Sequence, residues 1–318
     1  MSKTNTQFKE DVIEGLTSYP KRLPSKYIYD EKGDKLFQDI MDMPEYYLTN
    51  CEFEILDIHK KELSEVFSQD GHFDLIELGA GDGKKTKILL KELAENAKKF
   101  SYLPIDISIN SLENLKASLE KELPDVEVQI MQGMYFKVLH HIASLRHRKK
   151  VILFLGSNIG NLLHPKAIDF LKTIRNDMEK DDMLFIGFDQ KKNPQTILDA
   201  YDDPSGITEA FNKNLLTRIN STFNANFDVD AFMHWETYNP ETGTAMSYLV
   251  SKIEQSVDIK DLDLQVHFNQ WETIHVEISQ KYDDKVVDWL AEESGLNVVQ
   301  SFADSKGYYK NYIFKRDN

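Results

Sequence analysis

Three glycines at alternate positions, Gly79, Gly81 and Gly83, follow an apolar run that closes on an acid, Glu77. They precede a segment whose apolar residues recur at Ile88, Leu89, Leu93 and Ala97. That spacing predicts a strand, a tight turn and a helix. Glycine tolerates positive φ and lets a ligand approach the backbone closely, while the helix after the turn directs its N–H groups to the same place. The chemistry this unit can perform is to hold a nucleotide-bearing cofactor. A dinucleotide fingerprint, G-x-G-x-x-G, requires glycine at position 84, where the chain has Lys84. A glycine-rich turn between strand and helix is also a plain structural need of many α/β proteins, so the stretch alone leaves the function open.

The elements around the turn repeat its pattern. Tyr102–Ile105 reads as a strand stopping at Asp106, and Ser108 can cap a helix with the stripe Leu112, Leu115, Leu119 and Leu123. Asp106 stands where such sheets place an acid that accepts from both ribose hydroxyls, although a loop aspartate near a helix start is also favoured by the helix dipole. Val126–Met131 gives a third strand. Val151–Leu155 gives a fourth, ending in Gly156-Ser157-Asn158-Ile159-Gly160-Asn161. A helix from Pro165 to about Glu179 and a fifth strand, Met183–Phe188, follow. Strands alternating with helices imply a parallel sheet covered on both faces. Near the end of the chain, a helix around Val286–Glu293 leads to Asn297–Phe302 and Tyr308–Phe314, an expected antiparallel pair joined through Asp304-Ser305-Lys306-Gly307.

Between the fifth strand and that last helix the alternation stops. A helix carries Ala210, Phe211, Leu215 and Ile219, and strand-like runs fall at 232–238, 245–253, 263–268 and 273–279. Asn239-Pro240-Glu241-Thr242-Gly243 joins the first two runs as a hairpin. The expected division is 51–191 with 282–318 as the sheet domain, and 1–50 with 192–281 as an inserted α+β substrate or lid domain. Residues 1–26 read as an amphipathic helix and a proline-containing linker. Then come Tyr27-Ile28-Tyr29-Asp30, a helix with Leu36, Phe37, Ile40 and Met41 on one face, and Met43-Pro44-Glu45-Tyr46-Tyr47. By composition alone these aromatics are core.

A chain of 318 residues can bury a sizeable core, and 41% hydrophobic with 29% charged residues is ordinary for a globular protein. The net charge of -15 opposes an electrostatic grip on nucleic acid or an anionic membrane, and favours a small-molecule substrate. A single cysteine, Cys51, excludes an internal disulfide, and nine scattered histidines without an HExxH pair give no expected metal site. A polar first 26 residues and short apolar runs lead to an expected cytoplasmic location.

The motif Glu77-Leu78-Gly79-Ala80-Gly81-Asp82-Gly83 resembles motif I of the S-adenosylmethionine-dependent methyltransferases, and a sheet of seven strands ending in a hairpin is their arrangement. More of the chain resembles one family, the histidine-specific methyltransferases of ergothioneine biosynthesis, which trimethylate the α-amino group of L-histidine to give hercynine. The likeness runs from Leu23-Pro24-Ser25-Lys26-Tyr27-Ile28-Tyr29-Asp30 through Met43–Tyr47, Phe154-Leu155-Gly156-Ser157-Asn158-Ile159-Gly160-Asn161 and Ala200-Tyr201-Asp202-Asp203 to Glu277-Ile278-Ser279. It implies a Rossmann-like class I methyltransferase sheet with an inserted substrate domain, S-adenosylmethionine as methyl donor and a monomer. By resemblance, Asn161 and Tyr201 hold the substrate carboxylate, Glu277 and Ser279 read the imidazole, and Tyr29 and Asn161 orient the amine. Tyr29, Phe37, Tyr46 and Met246 match positions lining the substrate pocket, with Phe37 also counted toward the cofactor. Gly79, Gly81, Lys85, Asp106 and Gly156 match cofactor positions, Lys85 pairing with the cofactor carboxylate. Residues i and i+2 of a strand share a face, so Glu277 and Ser279 can reach one ring, but exposed alternation opposite Val276 and Ile278 explains the same letters.

Two positions depart from the family. Gly133-Met134-Tyr135 stands where Gly-Asp-aromatic is usual, which removes the aspartate that bonds the adenine amino group and leaves backbone or Tyr135 to replace it. Asn158 stands where threonine is common and borders both ligands. The competing readings are the same chemistry on another amino acid or amine, a non-catalytic binding protein with a decayed cofactor site, and a dinucleotide-dependent oxidoreductase.

Overall fold

The computed structural model describes residues 3–145 and 148–317. The contacts divide the chain into two units, one of Met1–Tyr47 with Lys192–Ser279 and the other of Leu48–Lys191 with Gln280–Asn318.

In the second unit all six residues of Phe73–Leu78 are buried, as expected of a central strand covered on both faces. It lies between Phe100–Asp106 and Lys149–Phe154, parallel to both. The complete order is Leu296–Ala303, Tyr309–Arg316, Met183–Asp189, Lys149–Phe154, Phe73–Leu78, Phe100–Asp106 and then the edge. Tyr309–Arg316 runs antiparallel to both its neighbours, which makes the expected terminal hairpin. One cluster of buried side chains, including Ile76, Leu103, Ile152, Leu171, Ile186, Leu290 and Phe314, forms this unit's core.

The edge differs from the continuous third strand that Val126–Met131 predicts. It consists of two short pieces, Glu127–Val128 and Met131–Gln132, which pair with Phe100–Asp106 in one continuous register. The cause sits on the neighbouring strand. Gln129 N donates to Tyr102 O at 2.9 Å, so the return bond to Gln129 would have to come from the N–H of residue 104. That residue is Pro104, which has no N–H, and the ladder opens there. The helix after the glycine turn spans Thr86–Glu95, so Ala97 falls beyond it at φ 52° rather than on its stripe, and Leu90 is buried beside Leu89 and Leu93. Ser108 caps Ile109–Glu122, its hydroxyl accepting from Ser111 N at 3.2 Å.

The first unit carries a sheet in the order Lys21–Arg22, Thr273–Gln280, Thr244–Ser251, Phe232–Asn239. The expected hairpin through Asn239–Gly243 is present, with Asn239 Oδ1 accepting from Glu241 N at 2.9 Å. A second, two-stranded sheet pairs Leu264–Phe268 with Gln255–Ile259. The latter strand is absent from the expected runs, although its alternation places Val257 and Ile259 inside. Phe8, Val12 and Leu16 of Lys3–Thr17 pack with Phe211, Leu215, Leu216 and Ile219 of Ile207–Phe223 in this unit's own core. No helix among the described residues is long and apolar enough to cross a membrane.

Candidate active site

At the carboxyl ends of the parallel strands, three glycines take left-handed φ values of 77°, 52° and 64° at positions 79, 81 and 83. They serve different purposes. A Cβ on Gly79 would lie 2.6 Å from the Tyr135 hydroxyl and one on Gly83 2.4 Å from Leu115 Cδ1, whereas one on Gly81 would meet nothing within 4 Å. Gly79 and Gly83 therefore permit close packing, and Gly81 keeps its backbone open to a ligand.

Two acids brace this turn. Glu77 is buried and accepts from Thr86 Oγ1 at 2.6 Å and from the Tyr102 hydroxyl. Burial raises its pKa to about 7, against the opposing effect of those hydrogen bonds and of Lys85. Asp106 is half-buried; Oδ1 accepts from Ser108 N at 2.9 Å and Oδ2 from Gly81 N at 3.4 Å. Tyr135 packs its hydroxyl against the turn, and burial followed by the charge of Asp106 raises its pKa to about 12. Met134 beside it is 64% exposed.

Lys85 precedes the helix and pairs with Glu52 Oε2 at 2.5 Å. Gly156, with φ 78°, ends the strand Lys149–Phe154 two residues on, and a Cβ there would lie 3.7 Å from Lys85 Nζ and 3.5 Å from Asn158 Nδ2. Asn158 Nδ2 donates to Leu155 O at 2.9 Å, and Asn161 is exposed at the end of the short helical turn Asn158–Asn161. An open glycine backbone, an acid after the second strand and a lysine beside a left-handed glycine form a donor and acceptor set that fits S-adenosylmethionine, with its ribose and its amino-acid end.

The first unit brings together most of the residues assigned to the substrate. Tyr201 ends the helix Pro194–Tyr201, and its hydroxyl lies 2.8 Å from Ser279 Oγ, both residues being buried. Ser279 is thus turned inward rather than being part of an exposed alternation. Glu277, two residues earlier on the same strand, is half-buried. Tyr29 sets its ring edge-on to Phe37 and Phe211 at 5.5 and 5.3 Å; Phe37 meets Tyr46 at 6.4 Å and Tyr46 meets Tyr201 at 6.1 Å. Phe37, read for both ligands in the sequence, packs within this aromatic row. Burial, then the charge of Glu277, holds the Tyr29 phenol protonated well above its usual range, although 37% of the residue's surface stays accessible. Such a phenol is a hydrogen-bond donor at any physiological pH. Met246 lies half-buried on the adjacent strand, its sulfur accepting from the Tyr248 hydroxyl at 3.1 Å.

Asp203 of the Ala200–Asp203 motif has an architectural task. It accepts from Ser205 Oγ, Ile207 N and Thr208 N at 2.5, 3.0 and 2.8 Å, at the start of Ile207–Phe223. Burial works to raise its pKa, yet these donors prevail and bring it to about 2. Two residues stand out that reasoning from sequence did not assign to a site: Glu52, an acid inside a helical pattern, and Phe211, which an apolar stripe presents only as core.

The family model for histidine-specific, S-adenosylmethionine-dependent methyltransferases matches residues 8–316. A histidine N-alpha-methyltransferase of Mycolicibacterium smegmatis is 34% identical over 301 residues, covering 94% of this chain and 92% of that protein. Ergothioneine biosynthesis protein 1 of Schizosaccharomyces pombe is 29% identical over 309 residues, 93% of this chain and 39% of that protein. An L-tryptophan methyltransferase of Psilocybe serbica is 27% identical over 322 residues, 94% of this chain and 90% of that protein. With its glycine turn, terminal antiparallel hairpin and inserted sheet, the chain is a class I methyltransferase that uses S-adenosylmethionine and belongs to the histidine-specific family.

Proposed function

We propose that the chain transfers methyl groups from S-adenosylmethionine to the α-amino nitrogen of L-histidine, three times in succession, giving the trimethylated betaine. The observation that carries this reading is the buried Tyr201–Ser279 hydroxyl pair at 2.8 Å with Glu277 on the same strand. A hydroxyl and a carboxylate spaced i and i+2 suit the two nitrogens of an imidazole, the carboxylate accepting an N–H and the hydroxyl pairing with the other nitrogen.

In this reading the unit built on Thr273–Gln280 is the substrate domain and the parallel sheet is the cofactor domain. Tyr201 holds the amino acid's carboxylate as a hydrogen-bond donor and Tyr29 orients the amine, and Asn161 is counted for both tasks on the family resemblance alone. Lys85 pairs with the carboxylate of the cofactor, Asp106 accepts from its ribose, Gly81 leaves its backbone open to it, and Gly79, Gly156 and Asn158 border it. The cofactor supplies a methyl bound to a sulfonium, ready for in-line displacement by an amine. An α-amino group with a reference pKa near 8 must lose a proton before each transfer. No side chain is assigned as a dedicated base, and solvent takes the proton. The aromatic row of Tyr29, Phe37 and Tyr46 suits a nitrogen that loses donors and keeps a positive charge as methyls accumulate.

Titration calorimetry of L-histidine in the presence of S-adenosylhomocysteine, followed by mass analysis of the product from S-adenosylmethionine, tests this. Selective binding of histidine and a gain of three methyls support it, and a product arrested at one or two methyls removes the three-step claim. The relative named for L-tryptophan supports one alternative, another aromatic amino acid as substrate. Tighter binding of tryptophan than of histidine would establish that alternative in its place.

A further inference from the structure

Glu52 lies in the helix Tyr47–Ser68 and has no exposed surface. Its carboxylate receives four donors. Oε2 accepts from Lys85 Nζ at 2.5 Å and from Gly156 N at 2.8 Å. Oε1 accepts from the Tyr309 hydroxyl at 3.1 Å and from Asn311 Nδ2 at 3.0 Å. Four donors fill the accepting capacity of a carboxylate.

The surrounding fold is shaped to admit this group. Gly187 lies in the middle of Met183–Asp189, where a strand ordinarily avoids glycine, and a Cβ there would come within 2.5 Å of Glu52 Oε1 and 2.2 Å of the Tyr309 hydroxyl. Four segments far apart in the chain therefore converge on one acid. An apolar residue would fill such a place at lower cost, because a carboxylate removed from water must recover its solvation from donors. The two groups on Oε2 are the reason for the arrangement. Lys85 keeps 25% of its side chain exposed, so its ammonium is buried at one contact and accessible elsewhere, with donors left for a second acceptor. Gly156, left-handed at φ 78°, lies beside that ammonium, a Cβ there falling 3.7 Å from Lys85 Nζ.

We infer that Glu52 is a positioning residue of the cofactor half, fixing the Lys85 ammonium and the Gly156 amide where the amino-acid carboxylate of S-adenosylmethionine is received. The inference rests on the proposed pairing of Lys85 with that carboxylate. An unanchored lysine samples many rotamers and loses that freedom on binding, whereas a lysine tethered to a buried acid has lost it already.

The test is titration calorimetry with two probes, S-adenosylhomocysteine and S-adenosyl-3-thiopropylamine, which lacks only the carboxylate. Glu52→Gln suits it because Asn311 Oδ1 is buried without a hydrogen-bond partner. A flipped Asn311 amide accepts from the new Nε2, and the remaining oxygen stays with Lys85 and Gly156. Glu52→Gln is expected to weaken S-adenosylhomocysteine about tenfold, leave S-adenosyl-3-thiopropylamine within twofold, and add little to the loss in Lys85→Met. Should Glu52→Gln not fold, the exchange Glu52→Gln with Asn311→Asp keeps the net charge, moves it away from Lys85 and is expected to show the same selective loss. Equal weakening of both probes would assign Glu52 to the fold alone, and unchanged or tighter binding of S-adenosylhomocysteine would show that it does not position the lysine; either overturns the inference. A Lys85→Met protein that binds both probes like the parent overturns the reading of Lys85 itself, and the inference with it.

Discussion

The groups offered at the carboxyl ends of the parallel strands are mainly backbone: left-handed glycines at 79, 81 and 156, with buried acids behind them. In the first unit the groups gathered are side chains: the hydroxyls of Tyr201 and Ser279, the carboxylate of Glu277, and a row of aromatic edges. Backbone cannot be altered by substitution except by disturbing whatever holds it. Side chains can be removed singly while their strand persists. The two regions should therefore fail differently, the first through stability wherever the packing behind its backbone is disturbed and the second through affinity.

The largest expected effect is at Gly187. Gly187→Ala drives a methyl into Glu52 and Tyr309 and is expected to destabilise the protein by about 3 kcal/mol, measured by chemical denaturation. A variant that unfolds like the parent would show that this region yields more easily than its close contacts imply. Next comes Glu77. Its carboxyl titrates near 4.5 unfolded and about 7 folded, so between those values the folded chain binds more protons and stability falls as pH rises. That contribution is complete below pH 4.5 and lost by about 7. Glu77→Gln is expected to remove a fall of about 3 kcal/mol across the window, seen by comparing denaturation curves of variant and parent at several pH values.

The proposed substrate region calls for smaller, ligand-specific losses. Glu277→Ala is expected to weaken L-histidine by about 2 kcal/mol, roughly thirtyfold, with S-adenosylhomocysteine binding unchanged. Ser279→Ala, which removes one neutral hydrogen bond to Tyr201, is expected to cost about 1 kcal/mol of histidine affinity and little thermal stability. If either substitution lowered stability as much as Gly187→Ala, the contrast between the two regions would collapse.

What was legible in the sequence follows the same division. Periodicity and glycine spacing revealed the parallel sheet, the turn and the terminal hairpin, because those signals are local to each segment. The break in the third strand was hidden since Pro104 acts across the ladder on another strand. Alternation at 273–279 placed Glu277 and Ser279 on one face but left open whether it faced water, and only the Tyr201 hydroxyl resolves that for Ser279. Glu52 carried no signal at all. Inside CEFEIL it is one helical acid among several, and its meaning arises from donors contributed by residues 85, 156, 309 and 311. The Asp203 of a conspicuous acidic pair holds a helix start, so proximity to Tyr201 in sequence did not imply a ligand.

Pro104 has an effect beyond the ladder it interrupts. An extended sheet margin is a template onto which another polypeptide can add, and long flat margins invite aggregation. Here one margin is cut into two-residue pieces, and the opposite one, Leu296–Ala303, loses register between Val298 and Gln300. Neither side provides a long straight run for a foreign strand, so the proline that costs the sheet one hydrogen bond also helps keep crowded copies of the enzyme from zipping together.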